Sequence, residues 1–247
     1  ISRDKPVLRM NAMVLKVAII HSVAGISSKV LAKALKNNGV MADVFRYGDM
    51  YSTDLKKYDY VFSYGCSGYT VHNNRINSAG AVATCVRKPR TFDALIKAKV
   101  ATVEYCTNKA DIPKHWDWVV IRDKINGRKA EGLHYHENND QVPNGVLFSE
   151  YFEHKYEYRI MVFKNEIVGR YYKAEDNGDW YFNKQPAKAF EVMDEHCLRA
   201  AKAIGIDYVG FDVVANNKKD FRILEANSGP RITDEAENAI VEYFINL

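Results

Sequence analysis

The sequence predicts an α/β chain that turns α+β in its C-terminal part, and three features of the residue pattern carry that reading. Short apolar runs alternate with helix-like periods over residues 1–84, β-rich runs follow one another between residues 116 and 173, and one long amphipathic stretch precedes two more β-rich runs. Strands separated by helices favour a parallel layer, whereas strands joined by short polar turns favour antiparallel pairing.

Val14 to Ile20 reads as a buried strand, and Ser27-Ser28 as the cap of a helix through Leu31, Ala34 and Leu35 that stops at Gly39. Val40 to Phe45 and Tyr60 to Tyr64 are the next strands. The loops His21 to Ile26 and Tyr64 to Gly68 follow strands, where open α/β sheets place ligands. Neither has P-loop or GxGxxG spacing, so plain glycine turns are an equal reading. Further on, Thr91 to Ile96 reads as a short helix and Trp116 to Arg122 as a strand ending on a cation. The basic, glycine-flanked loop Asn126 to Gly132 precedes a strand at Leu133 to His136. Amides and cations in such a loop can cover phosphates; a surface hairpin turn would use Asn-Gly as well.

Gly145 to Glu153 leads into the strand Tyr156 to Phe163, a turn at Lys164-Asn165, and Ile167 to Lys173. Period two puts Glu157, Arg159 and Met161 on one face and Tyr158, Ile160 and Val162 on the other. Arg159 and Lys173 can then converge on a cleft; the competing reading is a surface ion pair between Glu157 and Arg159. Ala187 to Ile204 forms a helix whose stripe of Phe190, Met193, Cys197, Leu198, Ala201 and Ile204 is core, with Gly205 as its stop.

Tyr208 to Val214 and Phe221 to Asn227 form a hairpin through Asn216-Asn217, which brings Asp212 beside Glu225 and Asn227. Two carboxylates and an amide oxygen suit Mg²⁺, with Mn²⁺ the alternative, and leave coordination positions for water and phosphate oxygens. The bland reading, strand-end acids facing water, leaves unexplained why carboxylates sit among apolar neighbours. Ser228-Gly229-Pro230-Arg231 then makes a tight turn before the helix-like Asp234 to Ile240.

With 47% hydrophobic and 27% charged residues in 247, the chain is globular, not disordered. Its longest apolar runs are too short to span a membrane, and Ile1 to Asn11 carries both charge signs, unlike a secretory signal. Cys66, Cys85, Cys106 and Cys197 lack CxxC spacing, which favours reduced thiols and a cytoplasmic location. A net charge of +4 suits polyanions such as ATP but is too dispersed to predict a nucleic-acid partner. The densest basic cluster, Arg87-Lys88-Pro89-Arg90, reads equally as a solvated helix start. His134 and His136 share a face but lack a third ligand, and His196 reads as packed or solvated.

Taken in order, residues 77–232 resemble the ATP-grasp superfamily, especially the branch of the ribosomal-protein glutamate ligase and related amino-acid ligases. The matching pieces are Asn77 to Phe92, Val119 to Arg122, the lid Asn126 to Gly132, the hinge Phe148-Ser149-Glu150-Tyr151-Phe152, Glu157-Tyr158-Arg159-Ile160, Lys173, and Asn183 after the Gly178-Asp179-Trp180 turn. Gly210-Phe211-Asp212, Leu224-Glu225-Ala226-Asn227 and Ser228-Gly229-Pro230 are the most specific. The resemblance implies an ATP-grasp fold with an α/β pre-grasp domain at 1–84 and an ATP-grasp domain at 85–247. The latter divides into a small lid-bearing subdomain (85–148) and a metal-binding subdomain (149–247).

It also implies ATP contacts from Arg122, Lys129, Glu150, Tyr151, Phe152, Glu153 and Asn183, with Glu153 or His154 at the ribose. Catalytic roles fall to Arg159, Lys173 and Arg231, and metal ligation to Asp212, Glu225 and Asn227. The implied activity is ADP-forming ligation of a carboxylate to an amine through an acyl phosphate, the substrates being amino acids, peptides or proteins. An ATP-grasp phosphotransferase and a nucleotide-regulated binding protein without turnover are the alternatives, and no membrane partner is implied. A homo-oligomer is left open. The sequence departs from its relatives at the lid residues Arg128, Lys129 and Glu131, at Arg122 in place of lysine, and at Arg231 where glycine often follows the proline.

Overall fold

The computed structural model describes residues 14–22, 25–52, 54–68, 72–125, 132–176, 179–184 and 190–247. Its first layer is a parallel sheet of β1 (Lys16–His21), β2 (Met41–Arg46), β3 (Tyr60–Tyr64) and β4 (Arg75–Ile76), in the order β2-β1-β3-β4. The helix α1 (Ile26–Asn37) buries Leu31, Ala32 and Leu35. Its N-cap is Gly25, not Ser27 or Ser28: Ser28 lies inside the first turn and its Oγ donates to the Gly25 carbonyl at 3.1 Å. A serine hydroxyl that finds a nearby backbone acceptor competes with its own capping role.

Two helices follow, α2 (Ala79–Val86), capped by Ser78, and α3 (Lys88–Lys97), which carries Pro89 in its first turn. They lead to a small antiparallel sheet of β5 (Tyr105–Cys106), β6 (Trp118–Arg122), β7 (Leu133–Glu137) and β8 (Leu147–Glu150), ordered β5-β8-β6-β7. The central antiparallel sheet has β9 (Tyr156–Phe163), β10 (Glu166–Asp176), β11 (Asp179–Lys184), β12 (Tyr208–Ala215) and β13 (Phe221–Asn227), ordered β11-β10-β9-β12-β13. The helix α4 (Glu191–Ile204) ends on Gly205 at φ 72°, a conformation that glycine adopts without steric cost. The chain finishes with α5 (Asp234–Ile245). β4, α2, β5 and β11 were not legible in the sequence pattern. The divisions at 84/85 and 148/149 fall inside α2 and β8.

One face of the central sheet buries Ile160, Val162, Phe211, Val213 and Ile223 against Met193, Cys197, Ala200 and Ala201 of α4. Full burial of one such aliphatic or aromatic side chain contributes about 1.5–3 kcal/mol. The opposite face is covered only in part: Met161, Phe163, Tyr171 and Tyr208 pack on Phe62, Tyr64 and Ile76 of the first sheet and on Ile240 and Phe244 of α5. The rest of that face carries Glu157, Arg159, Lys173 and Asp212, none of which lies in an apolar cluster. Among the described residues, all four cysteines are free, and no helix is long and apolar enough to cross a membrane.

Candidate functional site

Asp212 and Glu225 stand opposite each other in the β12–β13 register, and a bulge makes this geometry work. Asp212 pairs with Glu225, but the next pair is Val213 with Ile223, so Leu224 is the extra residue. Phe221 and Ile223 point into the core beneath α4, and after the bulge it is Ala226 that does so. Strict alternation would have sent Glu225 to the same buried face as Ile223; the additional residue turns Glu225 and Asn227 to the other side.

Each carboxylate is already held by a cation. Arg159 donates from Nε to Asp212 Oδ1 and from Nη2 to Oδ2, both at 2.7 Å, a two-pronged charge-assisted contact. Lys88, at the start of α3, places Nζ 3.0 Å from Glu225 Oε1. Asn227 Nδ2 lies 3.4 Å from Asp212 Oδ2. Burial pushes the Asp212 carboxyl above its ordinary range, with Arg159 pulling the other way. Burial likewise lowers the pKa of the Lys88 ammonium, and Glu225 offsets that only in part.

The sequence-level pair of Glu157 with Arg159 does not form. Arg159 is taken by Asp212, its register partner on β12, while Glu157 Oε2 meets Lys173 Nζ at 2.9 Å. Side chains two apart on a strand sit about 7 Å from each other, farther than directly opposed cross-strand neighbours. Glu157 Oε1 also faces His154 Nε2 at 3.3 Å, and His154 Nδ1 is 2.8 Å from the Phe152 carbonyl. Burial works against the Glu157 charge, yet Lys173 and His154 together hold its carboxyl below the usual value.

From the small sheet, Arg122 at the end of β6 is brought within electrostatic reach of Glu225 and Tyr135, and burial lowers its guanidinium pKa. Its Nε is buried and has no hydrogen-bond partner among the described residues. Tyr135 of β7 stands edge-on to Tyr151 with ring centroids 5.5 Å apart. In the segment after β8, half-buried Glu150 ends the strand, exposed Tyr151 follows, and Phe152 lies under the Arg222 guanidinium at 4.7 Å. The Tyr151 amide donates to the Trp118 carbonyl at 3.0 Å, so that N–H serves the sheet. Glu153 is exposed, and its carbonyl accepts from Asn216 Nδ2 at 2.8 Å.

Arg231 is exposed at the end of the Ser228–Pro230 turn. The first sheet supports that turn: Gly65 N donates to the Ser228 carbonyl at 3.0 Å, and the Tyr64 hydroxyl donates to the Pro230 carbonyl. The loop after β3 therefore packs on the rim next to Arg231. Lys129 lies outside the described residues. Asn183 sits on β11 opposite Tyr172, and its side chain is likewise outside the description. His134 pairs with Asp123 at 2.8 Å, and no group of three or more His, Cys, Asp or Glu gathers for a metal among the described residues. His196 is packed: Nδ1 accepts from Ala101 N at 2.8 Å. Lys88 and Tyr135 were missed as site residues. Pro89 in a first turn was the available sign that Lys88 opens a helix, but nothing local showed which way it points.

Residues 131–243 match the model of a family described as the RimK-like ATP-grasp domain. No curated protein sequence matches the chain. Among solved structures, the ATP-grasp ligase PsnB complexed with minimal precursor, Mg and ADP superposes with a TM-score of 0.70 at 12% identity, over 93% of this chain and 96% of that one. The macrocyclase MdnC bound with precursor peptide MdnA, from Microcystis aeruginosa MRC, gives 0.68 at 13% identity, over 94% and 100%. A D-alanine–D-alanine ligase from Bacillus anthracis gives 0.66 at 14%, over 93% of each chain. The fold is the ATP-grasp fold. Over residues 131–243 the chain resembles the RimK-like ATP-grasp domain.

Proposed function

We propose that the protein is an ATP- and Mg²⁺-dependent ligase that joins a carboxylate to an amine through an acyl phosphate, releasing ADP and phosphate. The observation that carries this reading is the set of four cations, Lys88, Arg122, Arg159 and Lys173, gathered at the Asp212 and Glu225 carboxylates. Positive groups that converge on a cleft and partly lose their solvent suit a polyphosphate. The buried, unpartnered Nε of Arg122 fits an anionic acceptor, because leaving such a donor unsatisfied costs about 1–3 kcal/mol. Asp212, Glu225 and Asn227 fit Mg²⁺, a hard cation with oxygen ligands, and Mn²⁺ would fit the same set. When bound there, the metal would neutralise charge on the phosphate oxygens.

In this reading Arg159 and Lys173 offset charge as the acid oxygen attacks the γ-phosphorus and the bond to the leaving ADP oxygen breaks. The amine then attacks the acyl carbon, phosphate leaves, and the amine proton is lost. The protein supplies position and charge and no covalent nucleophile. Glu150, Tyr151, Phe152 and Glu153 form the wall for the base and ribose, with Lys129 and Asn183 assigned to the nucleotide by resemblance. Arg231, exposed beyond the turn, orients the anionic substrate. We assign residues 1–84 to a pre-grasp unit, 85–148 to the lid-bearing unit and 149–247 to the metal-bearing unit. PsnB complexed with precursor peptide PsnA2 and MdnC bound with precursor peptide MdnA support an amino acid, peptide or protein as substrate here.

Incubation with ATP, Mg²⁺ and pools of amino acids and peptides, followed by ADP, phosphate and product mass, tests the assignment. An amide product formed together with ADP is expected. A stable phosphorylated product without an amide would make the protein a phosphotransferase, and nucleotide binding without ADP release would make it a nucleotide-regulated binding protein.

A further inference from the structure

The two carboxylates at the candidate metal site are each engaged by a cation of the protein: Asp212 by Arg159 in a two-pronged contact and Glu225 by Lys88. Both cations are anchored from outside the β12–β13 hairpin, Arg159 from β9 and Lys88 from the first residue of α3. The Lys88 side chain is 7% exposed, so water offers its ammonium little alternative to Glu225. Arg122 adds a third cation in electrostatic reach of Glu225. A divalent ion arriving alone would have to enter a site whose negative charge is already matched, and it would have to displace two partly buried cations, Lys88 and Arg159, from the carboxylates that hold them.

A polyphosphate changes that balance. It offers Lys88 and Arg159 new acceptors; a Lys88 that turns to it returns Oε1 of Glu225 to the site, and an Arg159 that does so returns both oxygens of Asp212. We infer that Lys88 and Arg159 act as built-in counter-ions that suppress metal binding in the absence of nucleotide, and that nucleotide admits the metal by exchanging ion-pair partners. This inference rests on the proposed nucleotide site and adds its regulation: metal and nucleotide bind with positive coupling because they release each other's partners.

The test is a pair of equilibrium titrations on the full chain carrying Lys88→Met, with Lys88→Arg as the charge-preserving control and circular dichroism to confirm folding. Mn²⁺ alone, followed by electron paramagnetic resonance, is expected to bind Lys88→Met about three- to tenfold more tightly than the parent protein. ADP in excess chelator is expected to bind the same variant more weakly by a similar factor. Opposite shifts are the signature, since general damage to the fold would weaken both ligands. Lys88→Arg should stay near the parent in both titrations. The inference is overturned if Lys88→Met binds Mn²⁺ no more tightly, if its metal-free ADP affinity is unchanged, or if Lys88→Arg behaves like Lys88→Met. Neither titration contains an acid or an amine, so a failure of the ligase assignment alone leaves the result standing. A parent protein that binds neither Mn²⁺ nor ADP overturns the site and the inference together.

Discussion

Asn77 and Tyr208 are joined by two reciprocal hydrogen bonds: Asn77 Oδ1 accepts from Tyr208 N at 2.7 Å, and Asn77 Nδ2 donates to the Tyr208 carbonyl at 2.9 Å. The same amide reaches Asp207 N at 3.0 Å and the carbonyls of Ser63 and Ser228 at 3.3 and 3.4 Å. One fully buried side chain thus ties the first sheet, the start of β12 and the Ser228–Pro230 turn together. Its backbone sits at φ 62°, which asparagine tolerates better than most residues. Asn77→Ala is expected to lower stability by about 2–4 kcal/mol in urea unfolding, since several buried backbone groups lose their partner. An unchanged midpoint would refute this seam.

Asp212→Asn and Glu225→Gln keep the shape of the floor but remove ligand charge. Each should reduce ADP formation by about 100-fold or more, with the far-ultraviolet circular dichroism of the parent protein. Rapid ADP formation by Glu225→Gln would remove that residue from the metal set.

Glu157 should leave a mark on acid stability. Its folded pKa is depressed below the ordinary 4.5, so its favourable contribution is fully present above that value and is lost as pH falls through the lower folded one. The stability gap between the parent protein and Glu157→Gln, from urea curves at pH 7 down to pH 3, should therefore shrink only below about 4.5. A gap that stays constant to pH 3 would show that Glu157 gains nothing from Lys173 and His154.

Gly229 touches backbone across the seam: a Cβ there would stand 3.0 Å from Gly65 Cα and 3.1 Å from Gly65 N. Gly229→Ala should push the rim turn from the β3 loop, costing about 1–3 kcal/mol. In turnover assays it should raise the KM of the acid or amine more than that of ATP. Equal effects on both would argue that the turn belongs to the nucleotide cleft.

Cys106 is the half-exposed thiol, whereas Cys66, Cys85 and Cys197 are buried, and burial pushes the Cys85 thiol up to about 12. Alkylation of the native protein at pH 8 followed by peptide mass mapping should label Cys106 first. Early labelling of Cys197 would contradict the packing of α4.

The hairpin carrying Asp212 was legible because apolar alternation, an Asn-rich turn and two acids all fall within twenty residues. What could not be read was the bulge at Leu224. The sequence placed Glu225 and Asn227 on one face correctly, but the same alternation joined them to Ile223, and only pairing with β12 reveals the extra residue. Lys88 and Asn77 escaped for a related reason. Glu225, which meets Lys88, and Tyr208, which meets Asn77, lie more than a hundred residues away in the chain, so the local surroundings of both resemble an ordinary helix start and an ordinary turn. Arg159 was found, but its partner was not, because strand neighbours are visible in a sequence and cross-strand neighbours are not.

The stretch that matches the family model, residues 131–243, is not a piece that can be cut out and expected to fold. Met161, Phe163 and Tyr208 rest on Phe62, Tyr64 and Ile76 as well as on α5, so excision would bare the part of that sheet face that the first sheet covers. It would also discard Lys88 and Arg122, two of the four cations at the floor. Minimal versions of this protein should begin upstream of β1, and a shorter clone that precipitates will have reported on this missing cover, not on the chemistry of the cleft.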